Sequence, residues 1–447
     1  DNGGFMALGS TFSYGQGDYD LYLVRLDSLG DTLWTKTYGG SGTDFGYDIA
    51  RASDGGYILT GMTRSSGLGK GDVYLLKISS LGQVLWSKTF GGSERDEGLS
   101  VREAPDKGFI IAGSTESFGA GAEDFYLIKV DSLGELEWSR VFGGPGSEWT
   151  GAVRVSADGG FVLVGGSTSD ANGYSDVVLM KLNSVGDSLW TRKYGGAAAD
   201  LGFSIEVTAD DGFVIVGASA SWTSEYNDAY VIKTDSIGTL EWENTFGGVF
   251  DERAFSAVQI ADGGYMVSGI TESFGAGKTD VYMFRLDAGG WQLWSQTYGG
   301  SESESCRGSL LSADQNIILI GLSYSNSQGG SDLFLVKAQS DLATDVKLNE
   351  LSALPKDFEL GQNYPNPFNP KTTIPFSISR SSAVTLFVYN VIGQKVATLL
   401  DRHLSAGQYQ VQWDGRRDDG GRLASGIYFY RLKAGERVFT NKMALLK

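Results

Sequence analysis

Trp86-Ser-Lys-Thr-Phe-Gly-Gly92 is one of six copies of a phrase that recurs every 52 residues along the chain. The tryptophans that open the copies are Trp34, Trp86, Trp138, Trp190, Trp242 and Trp294, with no insertion or deletion between them. A fixed period of about 50 residues indicates a propeller or a solenoid built from stacked units. Residues that recur in every copy are therefore expected to support the scaffold, and residues that differ between copies are the better candidates for function.

Each period contains four short runs rich in β-branched and aromatic residues, which predict β-strands. In the second copy they cover Tyr47–Ala52, Tyr57–Thr63, Asp72–Ser79 and Val84–Phe90, named strands a, b, c and d below. Strand c is apolar on both faces, as expected for a strand in a sheet that lies between two others. Strand b carries a glycine in every copy, typical of a close backbone approach. The seven glycines are Gly9, Gly61, Gly113, Gly165, Gly217, Gly269 and Gly321.

The copies follow the order b-c-d, then five complete a-b-c-d units, then a-b-c. We therefore predict an all-β chain whose residues 1–340 form a seven-bladed β-propeller with an incomplete first blade. Ring closure would need residues that precede Asp1, or a strand borrowed from 341–352. The sequence begins Asp-Asn-Gly-Gly, inside a repeat and without an initiator methionine, so we expect a fragment or a processed form.

Composition excludes several classes of function. The net charge of −18 disfavours a nucleic-acid partner, since phosphate binding needs a basic surface. Cys306 is the only cysteine and His403 the only histidine, which excludes intramolecular disulfides, Cys/His zinc sites and Ser-His-Asp catalysis within the repeats. Cys306 occupies a column of small residues and is expected to be a buried hydrophobe. No catalytic motif and no apolar run of membrane-spanning length is present, so we expect a non-catalytic chain without a cofactor or a transmembrane segment. We also expect a monomer.

Two ionic columns flank strand c in every copy. Aspartates precede the strand, and we interpret them as turn caps; a lysine or arginine ends it, which we expect to extend its charge towards solvent. The first column is Asp20, Asp72, Asp124, Asp176, Asp228, Asp280 and Asp332. The second is Arg25, Lys77, Lys129, Lys181, Lys233, Arg285 and Lys337.

A third acidic column follows the Gly-Gly pair, in the loop from strand d to the next strand a: Asp44, Asp96, Glu148, Asp200, Glu252 and Glu304. These six carboxylates could ring the mouth of a central channel and bind Ca²⁺ or a cationic ligand. Joint ionisation at close range is unfavourable unless each carboxylate accepts backbone N–H bonds, in which case it caps its own loop. An enzyme that degrades polysaccharides with acids on one propeller face is the alternative function, although the sequence singles out no opposed pair.

The loops from strand b to strand c differ most between copies and hold aromatic residues among Ser, Gly and Asn. Variable loops on a rigid scaffold often carry recognition, and aromatic platforms suit sugars or peptides. The candidate ligand-binding residues are Tyr14, Phe118, Tyr174, Trp222, Tyr226, Phe274 and Tyr324. Loops that merely cover the sheet edges are the alternative interpretation.

The repeat pattern Tyr-Gly-Gly…Asp-Gly-Gly-Tyr…Asp-x-Tyr-Leu-x-Lys…Trp resembles the tandem β-propeller repeats of large secreted bacterial and archaeal proteins. The resemblance covers residues 1 to about 340. It implies a propeller scaffold and specifies no activity.

The proline-rich stretch after residue 354 marks a linker, 341–357, and a second domain, 358–447. The second domain resembles the C-terminal sorting domain of the type IX secretion system. The matching residues are Asn363, Tyr364, Pro365, Asn366, Pro367, Phe368, Asn369, Pro370, Gly393, Trp413, Asp414, Gly415, Gly426, Tyr428 and Lys442. The resemblance implies a small Ig-like β-sandwich, the type IX secretion machinery of a Bacteroidota-type bacterium as a partner, and an extracellular or outer-membrane surface location. We therefore expect an exported scaffold that binds a glycan or a protein.

Overall fold

The computed structural model describes residues 4–169, 174–222, 226–312, 314–325, 327, 330–339, 358–368, 371–379, 382–404, 407–418, 421–435 and 437–446. Among these residues the regular elements are all β-strands, and none forms a helix that could cross a membrane. The chain divides into two compact units, one of Asp1–Met283 with Gln296–Ala338 and one of Phe284–Ser295 with Gln339–Lys447. The expected linker 341–357 lies outside the described residues, so the domain limits stay predictions.

The repeat region forms consecutive antiparallel sheets whose strands are paired in chain order. The first sheet holds β1 (Phe5–Thr11), β2 (Asp20–Leu26) and β3 (Thr32–Tyr38). Five four-stranded sheets follow: β4 (Asp44–Arg51), β5 (Tyr57–Thr63), β6 (Asp72–Ile78), β7 (Val84–Phe90); β8 (Asp96–Glu103), β9 (Phe109–Thr115), β10 (Asp124–Val130), β11 (Leu136–Phe142); β12 (Glu148–Val155), β13 (Phe161–Ser167), β14 (Asp176–Leu182), β15 (Ser188–Tyr194); β16 (Asp200–Val207), β17 (Phe213–Ser219), β18 (Asp228–Thr234), β19 (Leu240–Phe246); β20 (Glu252–Gln259), β21 (Tyr265–Thr271), β22 (Asp280–Leu286), β23 (Gln292–Tyr298). The last sheet holds β24 (Glu304–Leu311), β25 (Asn316–Ser323) and β26 (Asp332–Gln339).

These sheets confirm an all-β, β-propeller-like fold and the predicted order of strands a to d. The predicted limits of strand a are wrong, because β4 begins at Asp44 and not at Tyr47. The acid of the third column is therefore the first residue of the strand. A closed ring of seven blades remains a prediction.

The core of the repeat region lies between the faces of neighbouring sheets. Ile110 and Ala112 of β9 pack against Val153 of β12 and Leu163 of β13, and all four are buried. Burial of each large aliphatic side chain contributes about 1.5 to 3 kcal/mol, so the sheets are held together mainly by these contacts. The first and last sheets of the repeat region share such a cluster as well, in which Ile320 and Leu335 pack against Ala7, Val24 and Leu26.

The strand-b glycines allow the inner strand a to approach very closely. A methyl group added at Gly61 would lie 1.7 Å from the carbonyl oxygen of Phe45, and one at Gly217 would lie 1.7 Å from that of Leu201. Directly after the residue that faces this glycine, strand a has a β-bulge, as between Gly46 and Asp48. The bulge releases the strand from strict register and turns one residue, Tyr47 in this copy, out of the ladder.

The C-terminal unit contains two sheets around one core. One sheet has the order β27 (Glu359–Leu360), β28 (Thr372–Ile378), β31 (Gly407–Trp413). The other has the order β30 (Lys395–Leu404), β29 (Ser382–Tyr389), β32 (Gly426–Ala434), β33 (Arg437–Leu445). Ile374, Leu386, Trp413 and Tyr430 are among its buried core residues. Two sheets with a shared core form the expected β-sandwich.

We expect the substitution Gly217→Ala to destabilise the chain by about 3 kcal/mol, because its methyl group would force β16 away from β17. The midpoint of urea denaturation, followed by circular dichroism, measures this change. Gly9→Ala is the matched control, since a methyl group at Gly9 has no atom within 4 Å and should shift stability by less than about 0.5 kcal/mol. Equal shifts in the two variants would contradict the close-approach argument.

Candidate functional site

The b-to-c loops and the d-to-a loops lie at the same end of each sheet, because the strands are antiparallel and paired in chain order. We call this end the loop end; in the first two sheets it is formed by residues 12–19, 39–43 and 64–71. Both the acidic column and the aromatic candidates of the sequence analysis belong to it.

The six acids of the third column each bind their own loop. The Gly248 N–H and the Thr271 hydroxyl both donate to the Glu252 carboxylate, each at 2.6 Å. Asp44 accepts the Gly40 N–H at 2.7 Å and the Ser65 hydroxyl at 2.6 Å. The other four acids likewise each accept one backbone N–H and one serine hydroxyl. The donors are Gly92 and Ser117 for Asp96, Gly144 and Ser167 for Glu148, Gly196 and Ser221 for Asp200, and Gly300 and Ser323 for Glu304.

The structure therefore places Asp44, Asp96, Glu148, Asp200, Glu252 and Glu304 each in a cap of its own loop. All six are at most 2% exposed. Each acid accepts hydrogen bonds from the loop that it caps, as the cap interpretation of the sequence expects. Asp96 is incompletely bonded, since its Oδ1 has no hydrogen-bond partner among the described residues. Among the described residues, no group of three or more His, Cys, Asp or Glu side chains is arranged to hold a metal ion.

Each capping acid also faces the aspartate that begins the preceding strand c. A methyl group at Gly143 would lie 1.7 Å from Asp124 Oδ1 and 2.3 Å from Glu148 Oε2, so these two oxygens lie within about 4 Å of each other. Two carboxyl groups at this distance do not both ionise readily, and such a pair titrates as a unit. The same pair of acids surrounds Gly39, Gly91, Gly195, Gly247 and Gly299.

The two members of a pair differ in their affinity for a proton. Burial, and then the charge of Glu252, raise the pKa of Asp228 to about 6. Burial also raises the pKa of Asp124, with the charge of Glu148 adding to it. Burial opposes the ionisation of Glu148, but its bonds to the serine hydroxyls and to Gly144 lower its pKa overall. In these two pairs the aspartate of strand c therefore binds a proton more readily than an ordinary carboxyl group does. The constant separation of 24 residues between the two columns was the sequence signal for this pairing.

The ionic columns that flank strand c are structural. Asp20 Oδ2 accepts the N–H groups of Gln16 and Gly17 at 2.8 and 3.1 Å, which confirms the turn-cap interpretation. The expectation for the lysines is wrong, because Lys77 is 3% exposed and forms an ion pair with Asp54 at 2.7 Å. A buried ammonium group needs a charged partner, and the aspartate of the a-to-b turn supplies it. Lys129, Lys181 and Lys233 pair in the same way with Asp106, Asp158 and Asp210.

All seven candidate aromatic residues are exposed: Tyr14, Phe118, Tyr174, Trp222, Tyr226, Phe274 and Tyr324. Four of them rest one face on the aromatic residue at the third position of strand c, with ring centroids 5.2 to 6.0 Å apart: Tyr14 on Tyr22, Phe118 on Tyr126, Trp222 on Tyr230 and Phe274 on Tyr282. Tyr226 contacts Phe250 instead, at 5.7 Å. Since those four belong to four different sheets, the structure distributes them over the loop end.

A row of aromatic residues that the sequence analysis missed crosses the loop end. Phe12 contacts Tyr19, Tyr19 contacts Phe45, and Phe45 stacks on Tyr47, with centroids 5.4, 5.3 and 6.1 Å apart. We call these four residues the aromatic row. Phe12 is 70% exposed, and Tyr19 and Tyr47 are each 40% exposed. The signal was present in the sequence, because the other copies carry mostly non-aromatic residues at these positions.

The inner end of the aromatic row meets a pair of charges. Arg95 and Glu97 form an ion pair at 2.6 Å. Burial and the charge of Glu97 raise the pKa of Tyr47 to about 12, so Tyr47 stays a neutral phenol. The row therefore combines exposed ring faces with hydroxyl, guanidinium and carboxylate groups at one end.

The residues of the sorting-domain resemblance have structural roles in the C-terminal unit. The Asn363 side chain donates to the Pro365 carbonyl at 3.1 Å and to the Thr372 hydroxyl at 2.9 Å. Asn366 Oδ1 accepts the Ala444 N–H at 2.9 Å, and the buried ring of Phe368 lies 5.6 Å from that of Trp413. These bonds fasten the start of the unit to its last strand.

Other residues of that resemblance support turns or stay exposed. Trp413 Nε1 donates to the Arg416 carbonyl, and the Tyr428 hydroxyl donates to the Ala424 carbonyl, both at 2.9 Å. Tyr364 is 80% exposed and is the member best placed to contact another molecule. Asp414 forms an ion pair with Arg416, and the Lys442 carbonyl accepts a hydrogen bond from the Gln362 side chain. Gly393 and Gly415 both have positive φ. The remaining members are Pro367 and Gly426. Asn369 and Pro370 lie outside the described residues.

Comparison with known families agrees with this architecture. Residues 371–437 match the FlgD Ig-like domain, and residues 160–187 match a β-propeller domain of unknown function, DUF5122. The regulatory protein FlaEY of Caulobacter vibrioides is 23% identical over 327 residues, which is 66% of this chain and 31% of the relative. The chain thus spans about a third of that relative's length.

Two solved structures are similar in fold. PorZ, a bacterial surface component of the type-IX secretion system of Porphyromonas gingivalis, has a TM-score of 0.39 and 12% identity, over 96% of this chain and 64% of that chain. The β-propeller domain of the Trilobed protease from Pyrococcus furiosus has a TM-score of 0.42 and 11% identity, over 75% of this chain and 91% of that chain. At these TM-scores the likenesses carry no argument about function.

We expect the Asp228→Asn variant to lose less stability than the wild type between about pH 4 and pH 8. A carboxyl group with a raised pKa stabilises the fold fully below its ordinary pKa of 3.8, and this contribution is lost as the pH rises through about 6. The neutral amide keeps that contribution at high pH. After allowance for solvent screening, the difference should be about 1 kcal/mol, read from urea denaturation at each pH. Asp31→Asn, at an exposed turn, is the control and should leave the pH profile unchanged. A pH profile of Asp228→Asn identical to that of the wild type would refute the raised pKa of Asp228.

Proposed function

We propose that this chain is an exported β-propeller scaffold that binds a glycan or protein ligand at its loop end. The observation that carries the proposal is the aromatic row of Phe12, Tyr19, Phe45 and Tyr47. These four rings contact one another, and three of them are exposed, so together they present a surface for stacking. Phe45 and Tyr47 lie on β4, and Phe12 and Tyr19 lie at the two ends of the loop between β1 and β2. Soluble proteins seldom leave such a contiguous apolar surface exposed without an interaction to cover it.

A carbohydrate suits this surface better than a flat apolar partner. Sugar rings offer C–H groups that pack on aromatic faces and hydroxyl groups that need hydrogen bonds. Arg95 and Glu97 lie beside Tyr47 and supply both donors and acceptors at the inner end of the row. The variable aromatics of the b-to-c loops, such as Trp222 and Tyr174, would extend recognition around the loop end.

The proposed architecture is a monomeric, seven-bladed ring followed by a type IX sorting domain. The contact of the first and last sheets supports the ring, because Ile320 and Leu335 pack against Ala7 and Leu26. The match to an Ig-like domain and the exposed Tyr364 support a separate module with a recognition surface. In this proposal the type IX secretion machinery is the partner of the C-terminal unit, and the destination is the cell surface or the medium.

Catalysis on polysaccharides remains the alternative function, and the paired acids do not favour it. A glycosidase needs two carboxyl groups that flank a substrate bond in an open cleft. Asp124 and Glu148 are at most 2% exposed and are bonded within their loops, so they do not offer that arrangement. The binding role is therefore preferred.

A glycan array probed with the full chain tests the binding role. We expect binding to at least one glycan class, and a loss of about tenfold in affinity for the Phe12→Ala/Tyr19→Ala variant, since removal of two stacking rings should cost at least 1.4 kcal/mol. Leu29→Ala/Leu81→Ala is the control, because both leucines are exposed at the opposite end of the sheets. Absence of array binding together with turnover of a polysaccharide would favour the enzyme.

Deletion of residues 358–447 should leave the repeat region in the periplasm of a host that has a type IX secretion system. A second experiment does not depend on whether the truncated chain folds. Residues 358–447, fused to an unrelated periplasmic protein, should bring that protein to the cell surface. Protease accessibility on intact cells measures both. Normal surface display of the deleted chain would contradict the sorting role.

A further inference from the structure

One sheet of the C-terminal unit has an uncovered face. Along β32, Tyr428, Tyr430 and Leu432 are buried in the core, and the residues between them are exposed on the opposite side of the sheet. The same alternation continues on the strands that pair with β32. We call this surface the outer face. It consists of Phe387 and Tyr389 of β29, Lys395 of β30, Ile427, Phe429, Arg431 and Lys433 of β32, and Val438 and Lys442 of β33.

The outer face is basic. Lys395 Nζ lies 4.8 Å from the centroid of the Phe387 ring, and Arg431 Cζ lies 5.0 Å from that of Tyr389. The rings hold these two cations above the sheet without neutralising their charge. The two other lysines of the face are also exposed, and among the described residues none of the four cations forms an ion pair. The outer face therefore attracts anionic groups.

An apolar turn borders the outer face. Val391 and Ile392 lie at the tip of the turn from β29 to β30, where they are 68% and 74% exposed. Asn390 Oδ1 accepts the N–H groups of Ile392 and Gln394 at 3.1 and 3.0 Å, so the conformation of the tip is fixed. Lys395 follows this turn directly as the first residue of β30. We call Val391 and Ile392 the apolar tip, and it adjoins the charged surface.

A convex surface of this composition suits a lipid bilayer. Sites for small molecules are concave and enclose most of the ligand, which the tip of a hairpin does not do. Exposed apolar side chains can instead enter the boundary between lipid head groups and acyl chains, while lysines and arginines beside them bind anionic head groups. The chain has a net charge of −18, so its attraction to an anionic surface depends on a local basic area. The outer face supplies that area.

The turns from strand c to strand d of the repeat region provide a contrast. Asp27 Oδ1 accepts the N–H groups of Leu29 and Asp31 at 2.8 and 2.9 Å, the same bonding pattern as in the Asn390 turn. Leu29 is 87% exposed at the tip. This turn carries two acids and no lysine or arginine, so an anionic surface would repel it. The combination of an apolar tip with cations therefore distinguishes the C-terminal turn from the turns of the repeats.

We propose that the outer face and the apolar tip of the C-terminal unit bind the surface of an anionic phospholipid bilayer. Val391 and Ile392 enter the level of the head groups, and Lys395, Arg431 and Lys442 bind lipid phosphates beside them. The contact is peripheral and reversible, since two short side chains and a few cations provide far less affinity than a membrane-spanning segment. The loop end of the repeat region takes no part in it.

Sedimentation of the full chain with lipid vesicles tests the proposal. Vesicles of phosphatidylcholine and phosphatidylglycerol in equal parts should bind the chain saturably, and vesicles of phosphatidylcholine alone should bind it at least about tenfold more weakly. The Lys395→Glu/Lys442→Glu variant should bind the mixed vesicles at least about tenfold more weakly, because two attractive charges become repulsive. The Val391→Ser/Ile392→Ser variant should also lose about tenfold in affinity, because serine side chains do not enter the apolar boundary.

Leu29→Ser/Leu81→Ser is the matched control, because it removes two exposed leucines from turns of the repeat region, and it should leave vesicle binding unchanged. All the substituted side chains are exposed, so the melting temperature of each variant should equal that of the wild type. Absence of binding to the mixed vesicles, or equal binding by the Val391→Ser/Ile392→Ser variant, would overturn the proposal. Tight binding of soluble dextran sulfate that the tip substitutions leave unchanged, together with weak vesicle binding, would assign the outer face to an acidic glycan instead.

Discussion

The approach of each inner strand to a strand-b glycine is the constraint on which the repeat region depends. At Gly113 an added methyl group would lie 1.7 Å from the Glu97 carbonyl oxygen, a distance that no side chain can accommodate. The approach brings the inner strand close to its sheet and forces the bulge that follows. The bulge then turns one residue per copy, such as Tyr47 or Phe203, out of the ladder. Backbone crowding in the scaffold thus creates positions where the sequence is free to vary.

The paired acids perform a complementary task at the loop end. Each pair joins the start of a strand c to the start of the next strand a, so a loop of one sheet is tied to its neighbour. Burial and the charge of Glu252 raise the pKa of Asp228 to about 6, so this junction binds a proton more readily than an ordinary carboxyl group does. The capped d-to-a loops are therefore held in place by hydrogen bonds. The b-to-c loops can change sequence without disturbing the arrangement of the strands.

The fold could be predicted from the sequence because its determinants are local and periodic. The 52-residue spacing located strands b, c and d to within one residue in the second copy, and Cys306 is buried as expected. The start of strand a was placed too late, because Asp44 was read as a loop residue and not as the first residue of a strand. An alternating pattern does not show where a strand begins when a capping acid is part of the ladder.

The candidate site was less predictable because it depends on contacts between different copies. Lys77 and Asp54 lie 23 residues apart, and only the register of strands a, b and c brings them together. The aromatic row likewise joins Phe12 of the first copy to Phe45 of the second. Periodicity identifies what the copies share, whereas the row exists where one copy departs from the others. The repeats of this chain therefore acquire individual surface features through such departures. The aromatic row, which lies within the first two sheets, is one of them.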